Sequence, residues 1–245
     1  MNLAGLNDEA AIGVGSPESD LEIAQLQQIV EQALAAVPKD SRVLAIIPDK
    51  TRDDNTHILF PFAAKILADN GSAKLDALVA QGTHSAMTEA EKFTKIGLTD
   101  GAKIPLDRIY DHRWDDPTEL VTIGELAVDQ VAHITDGLFN ESIPLAVNGL
   151  AAPGRYDVIL IFGATVPHEV AGFAGGAKYF FPGIAGAELT HKTHWLAALA
   201  TIDKIIGRIE TPTRLLIEAA ADHISAKVIA FTSVVSRTED DLLRT

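Results

Sequence analysis

The feature that most constrains this chain is a short apolar run, Val43-Leu-Ala-Ile-Ile47, with no polar residue on either face. A run that short and continuous reads as a strand buried on both sides, and such strands belong to parallel sheets covered by helices. The neighbouring sequence repeats the unit. A polar loop from Pro48 to Thr56 follows, then helical spacing from His57 to Asp69 that ends at Asn70-Gly71. Pro61 in that stretch fits only near the first turn of its helix. Leu75 to Ala80 is a second strand, Gln81 to Ser85 a second loop, and Thr88 with Glu91 forms a capping box opening a helix to Ile96-Gly97. Strand, loop and helix in alternation predict an α/β chain: a Rossmann-like open sheet, mostly parallel, with helices on both faces.

The flanks extend this pattern. Residues 1–15 show no periodicity, and Ser16 with Pro17 and Glu18 is a predicted helix start. Apolar residues at helical spacing run from Leu21 to Ala36, and Pro38 stops them. Short strands are expected at Arg108 to His112, Leu120 to Ile123 and Leu145 to Val147, with a turn from Trp114 to Pro117. Asp157 to Phe162 is a further buried strand. Helices at Glu188 to Ile206 and Pro212 to His223 precede a final strand, Val228 to Val235. A domain spanning 1–206 is expected, with 207–245 a trailing helix and strand that begin a truncated second domain.

Composition closes several routes. The chain of 245 residues has no cysteine, which removes disulfides, thiolate metal sites and cysteine nucleophiles. Its formal charge of −14 argues against nucleic acid and against anionic membrane surfaces. No apolar run reaches the ~18 to 20 residues of a membrane helix, and the first residues lack the basic start and apolar core of a signal peptide. A cytoplasmic protein is expected. The P-loop, dinucleotide fingerprint, His-Glu-x-x-His and Gly-x-Ser-x-Gly patterns are all missing.

The chemistry lies in the loops that follow the strands. Asp49 to Arg52, Gly82 to His84, and the glycine-rich stretch Pro167 to Gly186 each leave the C-terminal end of a predicted parallel strand, where open α/β sheets bind ligands. That geometry gathers Asp49, Arg52, His84, His168 and Lys178 along one sheet edge. The glycine-rich loop carries Gly172, Gly175 and Gly176, which permit close backbone approach to a ligand. Lys178 lies between Ala177 and Tyr179-Phe-Phe181, so its amino group is desolvated, paired, or snorkelled to water. Other readings exist: Asp49 and Arg52 as a helix-capping pair, and His84 as a surface histidine. His191 and His194 share a helix face and suit a zinc site only if a third ligand exists.

Together these residues resemble the nickel-pincer lactate racemase family. The resemblance rests on Asp49-Lys-Thr-Arg52, on Gly82-Thr-His84 with Met87-Thr88, on His168, on Ala171-Gly-Phe-Ala-Gly-Gly-Ala-Lys178-Tyr-Phe-Phe-Pro-Gly183, and on His194, over about Val43 to Ile206. It implies a nickel-pincer nucleotide, a nicotinic acid mononucleotide derivative carrying nickel on sulfur and carbon donors, attached covalently to Lys178. His194 is the implied protein ligand to nickel, and Gly172, Gly175 and Gly176 the implied cofactor-binding surface. His84 and His168 match the acid and base on a 2-hydroxy acid, and Asp49 and Arg52 match the polar pair lining the site. The implied activity is racemisation or epimerisation of a lactate-type 2-hydroxy acid by hydride abstraction and return, with cofactor-biosynthesis enzymes as partners. Ala174 stands where the family has serine, and family members carry a second domain contributing substrate contacts. The residues also allow a non-catalytic domain that binds a phosphorylated small ligand.

Overall fold

The computed structural model of the protein describes residues 11–16, 20–98, 103–237 and 243–244. Its centre is a five-stranded sheet of β1 (Arg42–Pro48), β2 (Lys74–Ala80), β3 (Arg108–Asp111), β6 (Val158–Ala164) and β9 (Lys227–Ser233). The spatial order is β3-β2-β1-β6-β9, and each neighbouring pair is parallel. The chain therefore builds outward from β1 to β3, crosses back, and builds outward again from β6 to β9. This is the doubly wound α/β arrangement, as expected from the alternating pattern.

Alternation along the strands divides the core in two. Val43, Ala45 and Ile47 face one side with Phe162, against α1 (Ile23–Leu34) and α2 (Thr56–Asp69). Leu44 and Ile46 face the other, packed with residues of α5 (Ala187–Ala200) and α6 (Pro212–Ala221). Phe162 is fully buried, 5.5 Å by ring centroid from Phe60 and 5.1 Å from Phe231, so it ties the α2 face to the edge strand.

Local chemistry explains the helix ends. The capping box at α3 (Glu89–Lys95) is present: Thr88 Oγ1 accepts from Glu91 N–H at 3.3 Å, and Glu91 Oε2 accepts from Thr88 N–H at 2.8 Å. Helix α1 starts later than predicted, at Ile23 behind Glu22, whose N–H is held by Gln25 Oε1 at 2.9 Å. Pro17 and Glu18 lie outside the described residues, and Ser16 is not the cap. Pro61 sits inside α2 rather than in its first turn. Having no N–H, it leaves the His57 carbonyl free of its usual helical partner. Gly97, at φ +76°, packs against that carbonyl where a Cβ would collide.

The middle of the chain differs in detail from expectation. β4 (Leu120–Leu126) and β5 (Ile143–Asn148) form an antiparallel ribbon apart from the main sheet, joined through α4 (Val128–Ile134), which has too short an apolar pattern to be foreseen. Helix α5 stops at Ala200 rather than Ile206, because Thr201 takes φ +69° and its hydroxyl binds Asp203. The segment from 207, set apart as a trailing piece, supplies α6 to the core and β9 to the sheet edge, with seven β9 residues in register against β6. The main sheet thus continues beyond Gly207.

Replacing Phe162 with alanine removes both aromatic contacts from a site too tightly packed to collapse. Urea unfolding is expected to show a loss of about 3–5 kcal/mol; a loss below about 1 kcal/mol would contradict this description of the core.

Candidate functional site

β1 and β6 are the neighbours from which the chain winds in opposite directions, so the loops after them diverge and leave a crevice at their C-terminal ends. A cavity of about 380 Å³ occupies that place. Its wall includes Asp49 and Arg52 after β1, Gly82 and His84 after β2, His168, Ala174, Gly175 and Lys178 after β6, Val235 and Ser236 after β9, and His194 from α5. All the side chains singled out in the strand-end loops, and His194, meet here.

Asp49 is buried at the end of β1. Its Oδ1 accepts from the N–H and hydroxyl of Thr51, at 2.7 and 2.5 Å, which closes the turn on itself. Its Oδ2 lies 2.7 Å from His84 Nδ1. Burial pushes the carboxyl pKa up, but the Thr51 hydrogen bonds and His84 outweigh it, so Asp49 stays below the ordinary carboxylate range and ionised. An ionised carboxylate only accepts, hence His84 carries hydrogen on Nδ1, and the neutral ring presents a bare Nε2. Asp49 therefore does not pair with Arg52, and the N-cap of α2 is Asn55. Arg52 anchors by its backbone carbonyl, which accepts from Lys95 Nζ at 2.7 Å, while its guanidinium has no hydrogen-bond partner among the described residues.

The glycine-rich loop folds as a small antiparallel hairpin, β7 (Pro167–His168) with β8 (Gly172–Phe173), followed by a single helical turn at Gly176–Tyr179. His168 is 6% exposed, and its Nδ1 accepts from the N–H of Val170 at 3.0 Å. Burial and then Lys178, with Arg52 and His194, push its pKa down to about 4 against the opposing pull of Glu169, so the ring is neutral near pH 7. The Lys178 amino group has no hydrogen bond or ion pair among the described residues. Burial, then Arg52 and Arg214, bring its amino group down to about 8, opposed by Glu169 and Asp49. Roughly a tenth is thus an uncharged amine at pH 7, far more than for an ordinary lysine, and this is the form that acts as a nucleophile.

Of the three glycines expected to face a ligand, only Gly175 lines the cavity. It sits at φ +90° with its Cα beside the Ala164 carbonyl and the Thr165 hydroxyl. Gly172 has a packing reason instead: at φ +78° it abuts the Arg208 carbonyl, and its own carbonyl accepts from Gly207 N–H at 2.9 Å. Gly176, at φ +57°, lies near the Arg214 guanidinium. Arg214, unmarked by any motif, reaches from α6 to the Phe173 and Gly175 carbonyls at 3.3 and 3.4 Å and holds the loop from behind. Glu169 and Tyr179 also line the cavity and were not foreseen, although each adjoins a residue that was.

His194 donates Nδ1–H to the Thr190 carbonyl at 2.7 Å, which fixes the ring and leaves Nε2 available to a metal. His191 points elsewhere, edge-on to Trp114 at 5.8 Å between centroids, and is absent from the cavity wall. Among the described residues no cluster of three or more His, Asp or Glu can hold a metal, so the two-histidine zinc arrangement lacks its remaining ligands. A metal bound by His194 would need its other donors from a cofactor.

A parallel α/β domain with a cavity at its switch point that bears histidines and a lysine is the class these features define. The family model for the lactate racemase N-terminal domain matches residues 3–204, and the chain belongs to that family. It is 28% identical over 155 residues to the lactate racemase of Thermoanaerobacterium thermosaccharolyticum, covering 62% of this chain and 32% of that protein. A crystal structure of a Thermotoga maritima protein superposes with a TM-score of 0.84 at 30% identity, over 94% of this chain and 55% of that one. The lactate racemase apoprotein from T. thermosaccharolyticum shares the fold at a TM-score of 0.66 and 22% identity, over 89% of this chain and 50% of that one. The chain spans between about a third and about half the length of these relatives. No helix among the described residues is long and apolar enough to cross a membrane.

The lowered pKa of Lys178 can be measured. Its acylation rate should rise with pH with a midpoint near 8, against about 10.4 for an ordinary lysine. Arg52→Ala removes a repelling charge and should move that midpoint upward. A wild-type midpoint near 10, or one indifferent to Arg52, would contradict the assignment.

Proposed function

We propose that this chain is the cofactor-bearing domain of a 2-hydroxyacid racemase or epimerase that uses a nickel-pincer nucleotide linked to Lys178. The observation carrying the reading is the union, in one cavity, of an unpaired lysine with a lowered pKa and a histidine whose Nε2 is free. The residues fit the group. Lys178 offers a nucleophilic amine for the covalent link, His194 a single imidazole nitrogen, and Gly175 a wall that backbone can present at close range. Soft sulfur donors from the cofactor would complete a nickel site in a protein with no cysteine.

When bound, the cofactor supplies a hydride acceptor for the substrate C2. The protein does the remainder. Arg52 grips the substrate carboxylate, for which its planar guanidinium is suited. His84, oriented by Asp49, takes the C2 hydroxyl proton on Nε2 as the centre becomes planar. His168 serves the hydroxyl in the opposite enantiomer, so the two histidines allow passage in both directions. The second half of the longer relatives is the natural source of further substrate contacts.

Co-expression with cofactor-making enzymes followed by intact-mass measurement tests this reading. The expected result is a nucleotide-sized adduct that peptide mapping places on Lys178 and that Lys178→Ala abolishes. No adduct under conditions that load a relative would contradict it. Binding of phosphate esters that survives His84→Ala and His168→Ala would instead favour a non-catalytic ligand-binding domain using Arg52.

A further inference from the structure

Two of the cavity histidines, His84 and His168, are held at the same ring nitrogen, Nδ1, but in opposite roles. His84 gives Nδ1–H to Asp49 and keeps Nε2 bare, ready to accept a proton. His168 receives the Val170 N–H on Nδ1 at 3.0 Å, with Ala171 N–H more distant at 3.4 Å, so its hydrogen resides on Nε2. A neutral imidazole in that tautomer donates a hydrogen bond from Nε2 and cannot accept a proton there. For His168 to work as a base, its hydrogen must move to Nδ1, and Nδ1–H must find an acceptor once the Val170 contact is broken.

One side chain stands ready. Glu169 Oε2 is 3.6 Å from His168 Nδ1, too far for a hydrogen bond and within reach of one side-chain rotation. Its side chain is 60% exposed, which leaves room for that movement. The other charged or titratable groups acting on His168, namely Lys178, Arg52 and His194, all disfavour added positive charge on the ring, and Glu169 alone opposes them. The carboxylate itself is kept ionised, first by its own backbone N–H and then by His168, Lys178 and Arg52 against a smaller burial cost.

We infer that Glu169 is a positioning residue that accepts Nδ1–H from His168, giving that ring a second tautomer with Nε2 bare, as Asp49 does permanently for His84. The inference rests on the acid–base reading of the two histidines. Its consequence is asymmetry: the neutral His84 ring always has the tautomer with Nε2 bare, whereas His168 gains it only when Glu169 swings in. A hydroxy acid whose proton must go to His168 pays for that rearrangement, and its enantiomer does not.

The test uses the whole chain without cofactor, labelled with 15N in its histidine rings and observed by NMR at neutral pH. Wild type should show His168 averaging between two tautomers, with Nε2–H the major one. A charged acceptor exceeds a neutral one by about 1 kcal/mol, so Glu169→Gln should lower the Nδ1–H to Nε2–H ratio about fivefold. Glu169→Asp should retain much of the wild-type ratio, and His84 should be unaffected in both variants, which also reports intact folding of the site. A His168 ring fixed in one tautomer in wild type, or a ratio equal in all three proteins, would overturn the inference. Either result leaves the Lys178 adduct, read separately by mass, free to succeed or fail.

Discussion

Everything in this domain depends on the parallel pairing of β1 with β6, Val43 opposite Val158 through Ile46 opposite Ile161. Both strands are buried on both faces, so the pairing is fixed by apolar contacts above and below as well as by its hydrogen bonds. Because the chain winds away from this pair in opposite directions, no crossover covers the gap at its C-terminal end. The loops leaving β1, β2, β6 and β9 all border that gap. Gly82 N–H to the Gly183 carbonyl, at 2.9 Å, joins the second loop to the glycine-rich one, so the wall of the cavity is a connected structure.

The cavity brings both signs of charge close together, with Asp49, Asp53 and Glu169 beside Arg52 and Lys178. A chain of formal charge −14 places Arg52 and Lys178 together in this crevice, with neither side chain in an ion pair among the described residues. Their mutual repulsion, added to burial, lowers the Lys178 pKa, and both hold His168 neutral. An anionic ligand group placed between Arg52 and Lys178 would relieve that repulsion. The cavity favours chemistry that begins with an uncharged amine and an uncharged imidazole. Asp49 and Glu169 stay ionised beside these groups, and Asp49 orients the His84 ring through Nδ1.

Much of this could be read from the sequence, for a physical reason. Buried parallel strands announce themselves as unbroken apolar runs, and the loop after each such run has a known destination, so Asp49, Arg52, His84, His168 and Lys178 could be assigned to one edge before any coordinates. The capping box at Thr88 was equally plain because its chemistry is local. What escaped was non-local. Arg214 supports the loop from a helix far along the chain, and nothing in its neighbourhood marks it. Gly172 and Gly175 look alike in sequence, yet one is needed for packing against Arg208 and the other faces the cavity. The late start of α1 and the early stop of α5 turn on single backbone choices, at Glu22 and Thr201, that periodicity does not resolve.

The central claim is that His194 is the single protein ligand in a metal site otherwise furnished by a cofactor on Lys178. X-ray absorption at the nickel edge of cofactor-loaded protein tests it most directly. One imidazole nitrogen alongside sulfur donors is predicted, with the imidazole contribution lost in His194→Ala and kept in His191→Ala. Two or more imidazoles, or a spectrum unchanged by loss of His194, would contradict the account.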